Sequence, residues 1–362
     1  GTNIQYSDYG NNTQSLLYNL DYKTGINFMK HGFFVKAERK FLEDNLGFSF
    51  GLRVDTDSFS EGSSLTDNFS PRLALTYNIT DDQTWKINAS VGRYYKIPTY
   101  TMLGFQNSQR IFVNKDAKYT RSDHLVAGLE YVPGNASRIT LEGFYKKYSQ
   151  YPISIIDGVS LANKGGGFEV LGNEAIISDG KGKSYGLEAL YQQKLSKNFY
   201  GVFAYTYFHS QFTNAQGNYL PSVWDSRHLI SFSGGYKLKR NWEISARWRF
   251  SGKTPYVPIN PNATLDAYPE VVLDYSQLGN VKLDPFNLAD IRFDKKWNFK
   301  RYSFNFYFEI QNFLAQRVPR PDSYGLDATE DGTLVMPLNL VPVNTEENND
   351  IPIPTFGFVI DF

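Results

Sequence analysis

The stretch YSFNFYFEIQNF, residues 302–313, decides the fold. Tyr302, Phe304, Phe306, Phe308 and Ile310 fall on one side of a period of two. Ser303, Asn305, Tyr307, Glu309 and Gln311 fall on the other. Successive side chains of a β-strand point to opposite faces, so the stretch is a strand with one ring-rich face and one polar face. The pattern recurs upstream. Trp242, Ile244, Ala246, Trp248 and Phe250 oppose Asn241, Glu243, Ser245, Arg247 and Arg249. Leu46, Phe48, Phe50, Leu52 and Val54 oppose Gly47, Ser49, Gly51, Arg53 and Asp55. A helix-period stripe of any length is not visible.

About 13 such segments can be counted, and many run ten residues or more, against five or six for an ordinary globular strand. They fall at roughly 26–41, 44–56, 70–79, 84–95, 121–132, 137–149, 183–195, 198–210, 226–238, 241–251, 287–298, 301–313 and 354–362, with a weaker one within 13–22. Tight connections (LEDN, TDDQ, PGNAS, SKN, KR, FKR) alternate with long polar loops near 57–69, 96–120, 150–182, 211–225, 252–286 and 314–353. Short turns at one end and long loops at the other describe a meander whose two ends face different surroundings. An apolar outside and a polar inside invert a soluble barrel and suit lipid on one face and water or a polar plug on the other. The expected fold class is an all-β, antiparallel transmembrane β-barrel, with Phe304, Phe306, Trp242, Trp248 and Phe293 facing out.

Composition agrees. Aromatic residues make up 16% of the chain while its mean hydropathy is −0.42, which needs a structure that displays rings yet keeps much polar surface. Lys+Arg and Asp+Glu are both 37, so no net field points to nucleic acid. Cysteine is absent, which removes thiolate metal sites and cysteine nucleophiles. No run reaches the roughly 20 apolar residues of a membrane helix. GTNIQYSDYG has no basic region followed by an apolar core, which leaves a cytoplasmic chain, a processed one or a piece of a longer protein.

Several stretches resemble the barrel of TonB-dependent receptors, particularly those of Bacteroidetes-type Gram-negative bacteria. They are GLRVDTDSF, FSPRLALTYNITDDQTWKINASVGRYYKIPT, SYGLEALYQQKLSKNFYGVFAYTYFHSQF, DSRHLISFSGGYKL, WRFSGKTPYVP, LADIRFDKKWNF and YFEIQNFLAQ, in the family's order. The resemblance implies a barrel of about 22 strands around an N-terminal plug, so residues 1–362 are expected to be the C-terminal barrel portion, with 13 or 14 strands. It implies an outer-membrane location, import of a nutrient (iron chelate, cobalamin, oligosaccharide or peptide) with work supplied by TonB through the plug, and no enzymatic activity or cofactor. Implied partners are outer-membrane lipid, the plug and remaining strands, TonB, the barrel-assembly machinery, the nutrient and a surface lipoprotein. Rivals from other classes are a passive diffusion channel and an outer-membrane hydrolase. The closing strand IPTFGFVIDF, with Phe356, Phe358, Ile360 and Phe362 on one face, resembles the signal that such barrels present to their assembly machinery.

Candidate sites are sparse. His228, with Asp225 and Ser231 nearby, is a weak catalytic candidate, because a triad is recognised by geometry and not by sequence proximity; no catalytic residue is assigned. The acidic stretches 55–68 and 344–350 lack the spacing and glycine of a calcium loop, so no metal is assigned. KGGGFEVLGN (164–173) lacks the ending of a phosphate cradle and reads as a mobile external loop. Arg53, Arg72, Arg93, Arg247, Arg249 and Arg292, with Asp55, Glu142, Glu188, Asp290, Asp294 and Glu309, read as an inward charge ladder. Tyr94, Tyr95, Tyr100, Trp224 and Arg93 lie near outer strand ends and are the candidate ligand contacts.

Overall fold

The computed structural model describes the backbone of residues 2–14, 19–62, 64–165, 171–268, 271–321, 323–342 and 350–362. Its strands are β1 (Thr2–Gln14), β2 (Asn19–Phe41), β3 (Leu46–Asp57), β4 (Ser70–Asn78), β5 (Trp85–Lys96) and β6 (Thr120–Tyr131). Next come β7 (Ser137–Ser154), β8 (Ile176–Ser196), β9 (Phe199–Thr213), the short β10 (Tyr219–Pro221), β11 (His228–Lys237) and β12 (Trp242–Ser251). β13 (Phe286–Asn298), β14 (Ser303–Gln311), the short β15 (Tyr324–Leu326) and β16 (Leu340–Pro342), and β17 (Ile353–Asp361) complete the order. The long strands form one antiparallel sheet in sequence order from β1 to β9, then β11 to β14, then β17; β10 adds to the end of β9.

Register confirms the period-two reading. Trp242, Ile244, Ala246 and Trp248 lie opposite Lys295, Phe293, Ile291 and Ala289. Phe293 and Trp297 lie opposite Phe308 and Phe304, which meet Phe356 and Ile360 of β17. These rows make one apolar face, and Arg247, Asp290, Arg292, Asp294 and Glu309 make the other. The apolar face is bare: Leu125, Leu141 and Leu187 are each more than half exposed. Covering such a face with lipid removes it from water at about 25 cal/mol per Å².

Besides β1 (Thr2–Gln14), a strand where none is expected, the structure differs from the expectation in three places. Of the weak segment 13–22, residues 13 and 14 close β1 and 19–22 open β2, whereas 15–18 lie outside the described residues. Much of the expected loop 150–182 is strand, since β7 runs to Ser154 and β8 starts at Ile176. Third, Arg93 lies opposite Asp123, two residues on from the Val91–Leu125 pair, on the outward face. Arg53, Arg72, Arg247, Arg249 and Arg292 keep the inward parity. In GRYYK both faces carry polar and aromatic groups, so residue type stops marking the face while the pleat still does.

The sheet is open. β1 pairs with Asn19–His31 of β2, and β3 pairs with Lys30–Phe41. Among the described residues, 33–41 of β2 therefore have a strand on one side only, and so does β17. A small buried core sits at the long-loop end, where Ile26 and Phe28 of β2 meet Met102 and Leu103 of α1 (Tyr100–Leu103), Ala117, Leu161 and Ile176.

Candidate functional site

The inward face is a ladder of ion pairs set by the pleat. The guanidinium of Arg53 donates twice to Asp55, at 2.6 Å each. Arg247 donates to Asp290 at 2.9 and 2.7 Å. Arg292 donates to Asp294 at 2.8 Å, lies 3.8 Å from Glu309 and stacks 3.9 Å over the Tyr307 ring. Asp290, at 5% exposure, also accepts from the Asn312 amide, so its charge is met on two sides, as a buried carboxylate requires.

Near the outer end, Tyr94 points inward, with Arg72 4.3 Å over its ring and the His124 ring 4.5 Å away. An open cavity of about 560 Å³ lies beside β2 and β3, lined in part by Lys30, Gly32, Phe34, Arg53, Asp55 and Tyr119. At its edge Tyr119 donates to Asp57 at 2.7 Å. Burial, and then the Asp57 carboxylate, push the Tyr119 phenol well above its ordinary value.

The five candidate ligand contacts do not converge. Tyr94 faces inward, Arg93 and Tyr95 share the outward parity, and Arg93 is engaged by Asp123 at 2.7 Å. Tyr100 packs edge-on against Phe28 at 5.4 Å and bonds Gln5, which ties α1 to the β1–β2 hairpin. Trp224 stands exposed in the loop before β11.

The other candidates resolve into structural roles. His228 bonds Tyr205 at 3.0 Å on the outward face, whereas Ser231 has the opposite parity. Asp225 is buried at 1% exposure and accepts from the Ser210 amide; burial pushes its carboxyl up. These three do not form a catalytic constellation. In the 55–68 stretch, Asp57 accepts from the amides of Phe59 and Ser60, and Asp67 from that of Ser64. Residues 344–349 lie outside the described residues. No cluster able to hold a metal ion occurs among the described residues.

Sequence reading missed an anchor in the loops. Lys164, at 8% exposure, contacts Asp157 at 2.6 Å and Glu174 at 2.8 Å, and lies 5.5 Å from the Tyr275 ring. Asn114, fully buried, donates to the carbonyls of Met102 and Glu174 and accepts from the Ile176 amide. Asn163 donates to the Pro221 carbonyl. Four loops are thereby knitted together. The stretch from Lys164, whose glycines suggest a mobile loop, begins on this anchor; residues 166–170 lie outside the described residues.

Comparison with known proteins accounts for this architecture. The family described as TonB dependent receptor-like, beta-barrel matches residues 1–313. The outer membrane transporter YddB of Escherichia coli superposes with a TM-score of 0.56 at 14% identity, over 99% of this chain and 50% of that one. The ferripyoverdine receptor of Pseudomonas aeruginosa gives 0.57 at 13% identity, over 89% and 39%. BauA, the ferric preacinetobactin receptor of Acinetobacter baumannii, gives 0.54 at 14%, over 90% and 43%. At such identities the likeness is one of fold, and the chain spans half or less of each of these structures. No curated protein matches the sequence. The chain belongs to the TonB-dependent receptor β-barrel family and is an outer-membrane protein.

Proposed function

We propose that residues 1–362 form the C-terminal barrel portion of a receptor that imports a scarce nutrient across the outer membrane with energy from TonB. The open edges carry this reading. Among the described residues, 33–41 of β2 and the outer side of β17 have no strand to pair the backbone N–H and C=O groups along that edge, each costing several kcal/mol in hydrocarbon. Further strands of the same protein would pair both edges and close the wall. The ion-pair ladder then faces a lumen that a polar plug fills, and the plug is the element on which TonB acts.

The superposed receptors for ferripyoverdine and ferric preacinetobactin favour an iron chelate as ligand, and the balanced charge argues against a strongly anionic one. Tyr94, inward beside Arg72, and Trp224, exposed on a loop, are the contacts best placed for it. Phe356, Phe358, Ile360 and Phe362 form the strand that the assembly machinery reads, and a surface lipoprotein is a further partner.

Uptake by the full-length protein, measured with a panel of radioiron-loaded siderophores in cells with and without the TonB complex, tests the proposal. Uptake of at least one chelate that stops without TonB is expected. Uptake that continues without TonB refutes energised import in favour of a passive channel. Absence of uptake for every chelate, with TonB-dependent uptake of cobalamin, oligosaccharide or peptide, refutes the ligand class.

A further inference from the structure

Arg93 is one end of a row. On the outward face of successive strands, Arg93 lies opposite Asp123, Asp123 opposite Lys147, and Lys147 opposite Lys183. Adjacent strands are about 4.8 Å apart, so these groups are close neighbours. Asp123, the carboxylate of the row, is already held by Arg93 at 2.7 Å and Arg121 at 2.5 Å. Lys147 is exposed, and among the described residues no carboxylate lies within ion-pair distance of it or of Lys183. The ammonium of Lys183 stands 4.6 Å over the Tyr219 ring, a contact that leaves its charge without a counter-ion. Like charges placed directly across a strand pair are unfavourable. This pair also stands on the side of the sheet that faces lipid.

Height decides what the pair meets. Lys147 lies about ten residues beyond the short-turn end of β7, and Arg121 about ten beyond that of β6. At about 3.3 Å per residue and a tilt of about 40°, this is roughly 25 Å along the membrane normal, the height of the apolar band of an outer-membrane barrel. Lys183, opposite Lys147 across one strand spacing, stands at nearly the same height. Directly beneath is an apolar and aromatic row in which Leu125 lies opposite Tyr145, and Tyr145 opposite Tyr185. The two tyrosine rings are stacked with centroids 6.3 Å apart. Acyl chains can lie on this row while the cations reach the headgroup layer above it.

We propose that the outward face of β6–β8 binds the phosphate of a phosphorylated lipid in the outer leaflet, held by Lys147 and Lys183 with Arg121 beside them. Arg93 and Asp123 are positioning residues, since they fix the Arg121 guanidinium at that edge. A lipid phosphate matches the site because it joins the missing negative charge to chains that cover Leu125, Tyr145 and Tyr185.

The test uses the full-length receptor purified in neutral detergent and titrated with phosphatidic acid or with the corresponding diacylglycerol. Retained lipid is read by native mass spectrometry. The wild type is expected to retain phosphatidic acid at least tenfold better than diacylglycerol. The Lys147→Gln/Lys183→Gln double variant is expected to lose roughly 25-fold of that retention, about fivefold per cation. Lys147→Arg/Lys183→Arg keeps the charge and should keep the lipid, which guards against a folding artefact. Equal retention of the two lipids, or of phosphatidic acid by wild type and the Gln pair, overturns the proposal. Displacement of the lipid by equimolar inorganic phosphate overturns the lipid source.

Discussion

Replacing Lys164 with Met removes the cation from between Asp157 and Glu174 while keeping most of the side-chain volume. Both carboxylates are poorly solvated, at 24% and 16% exposure, with the ammonium 2.6 and 2.8 Å from them. Glu174 also accepts from the buried Ser154 hydroxyl. Breaking a buried pair by deleting one partner costs about 3–5 kcal/mol, because the remaining charge is stranded. The residual exposure of Asp157 puts this site at the lower end, about 3 kcal/mol, or roughly a hundredfold in a local opening equilibrium. The loss should stay in the loops, because β7 and β8 are held by their own ladders and sub-global openings are largely independent of the wall. Hydrogen exchange of the full-length receptor should therefore quicken about a hundredfold at the amides of 159–164 and 171–176, and little in the strand centres. The triple variant Lys164→Met/Asp157→Asn/Glu174→Gln removes the stranded charges and should recover much of the protection. Unchanged exchange in the single variant, or a triple variant no better than the single, would refute the stranded-charge argument.

Two further predictions test orientation and assembly. Leu141→Arg puts a cation on the lipid face near mid-membrane and should destabilise the full-length barrel by about 2–4 kcal/mol, whereas Glu142→Arg, one residue on and inward, should be far milder; a heat-resistance assay giving equal losses would mean that the faces are misassigned. Deleting Phe362 removes only about 2 kcal/mol of apolar burial, so surface abundance should fall sharply while the barrels that do insert melt nearly as wild type does; unchanged abundance, or much earlier melting, would make Phe362 ordinary packing.

The pleat is the part of this protein that its sequence alone determines. A strand has a strict period of two, and lipid on one side keeps Phe304, Phe306 and Phe308 apart from Asn305, Tyr307 and Glu309 wherever the chain crosses the membrane. The thirteen long strands from β2 onward, the connection parity and most of the inward ladder therefore follow from local spacing, whereas β1 does not show in it. That signal fades where water meets both faces. The charge of Arg93 points inward, and only its register against Asp123 places it outward. The strand extensions to Ser154 and from Ile176 resemble loop in sequence for the same reason. The loop anchor left no trace, since Lys164, Asp157, Glu174, Tyr275 and Asn114 are scattered along the chain and become neighbours only when the loops fold over one end of the sheet. Local alternation records which medium a residue faces, whereas cross-strand register and loop packing are relations between distant residues, fixed only when the sheet assembles.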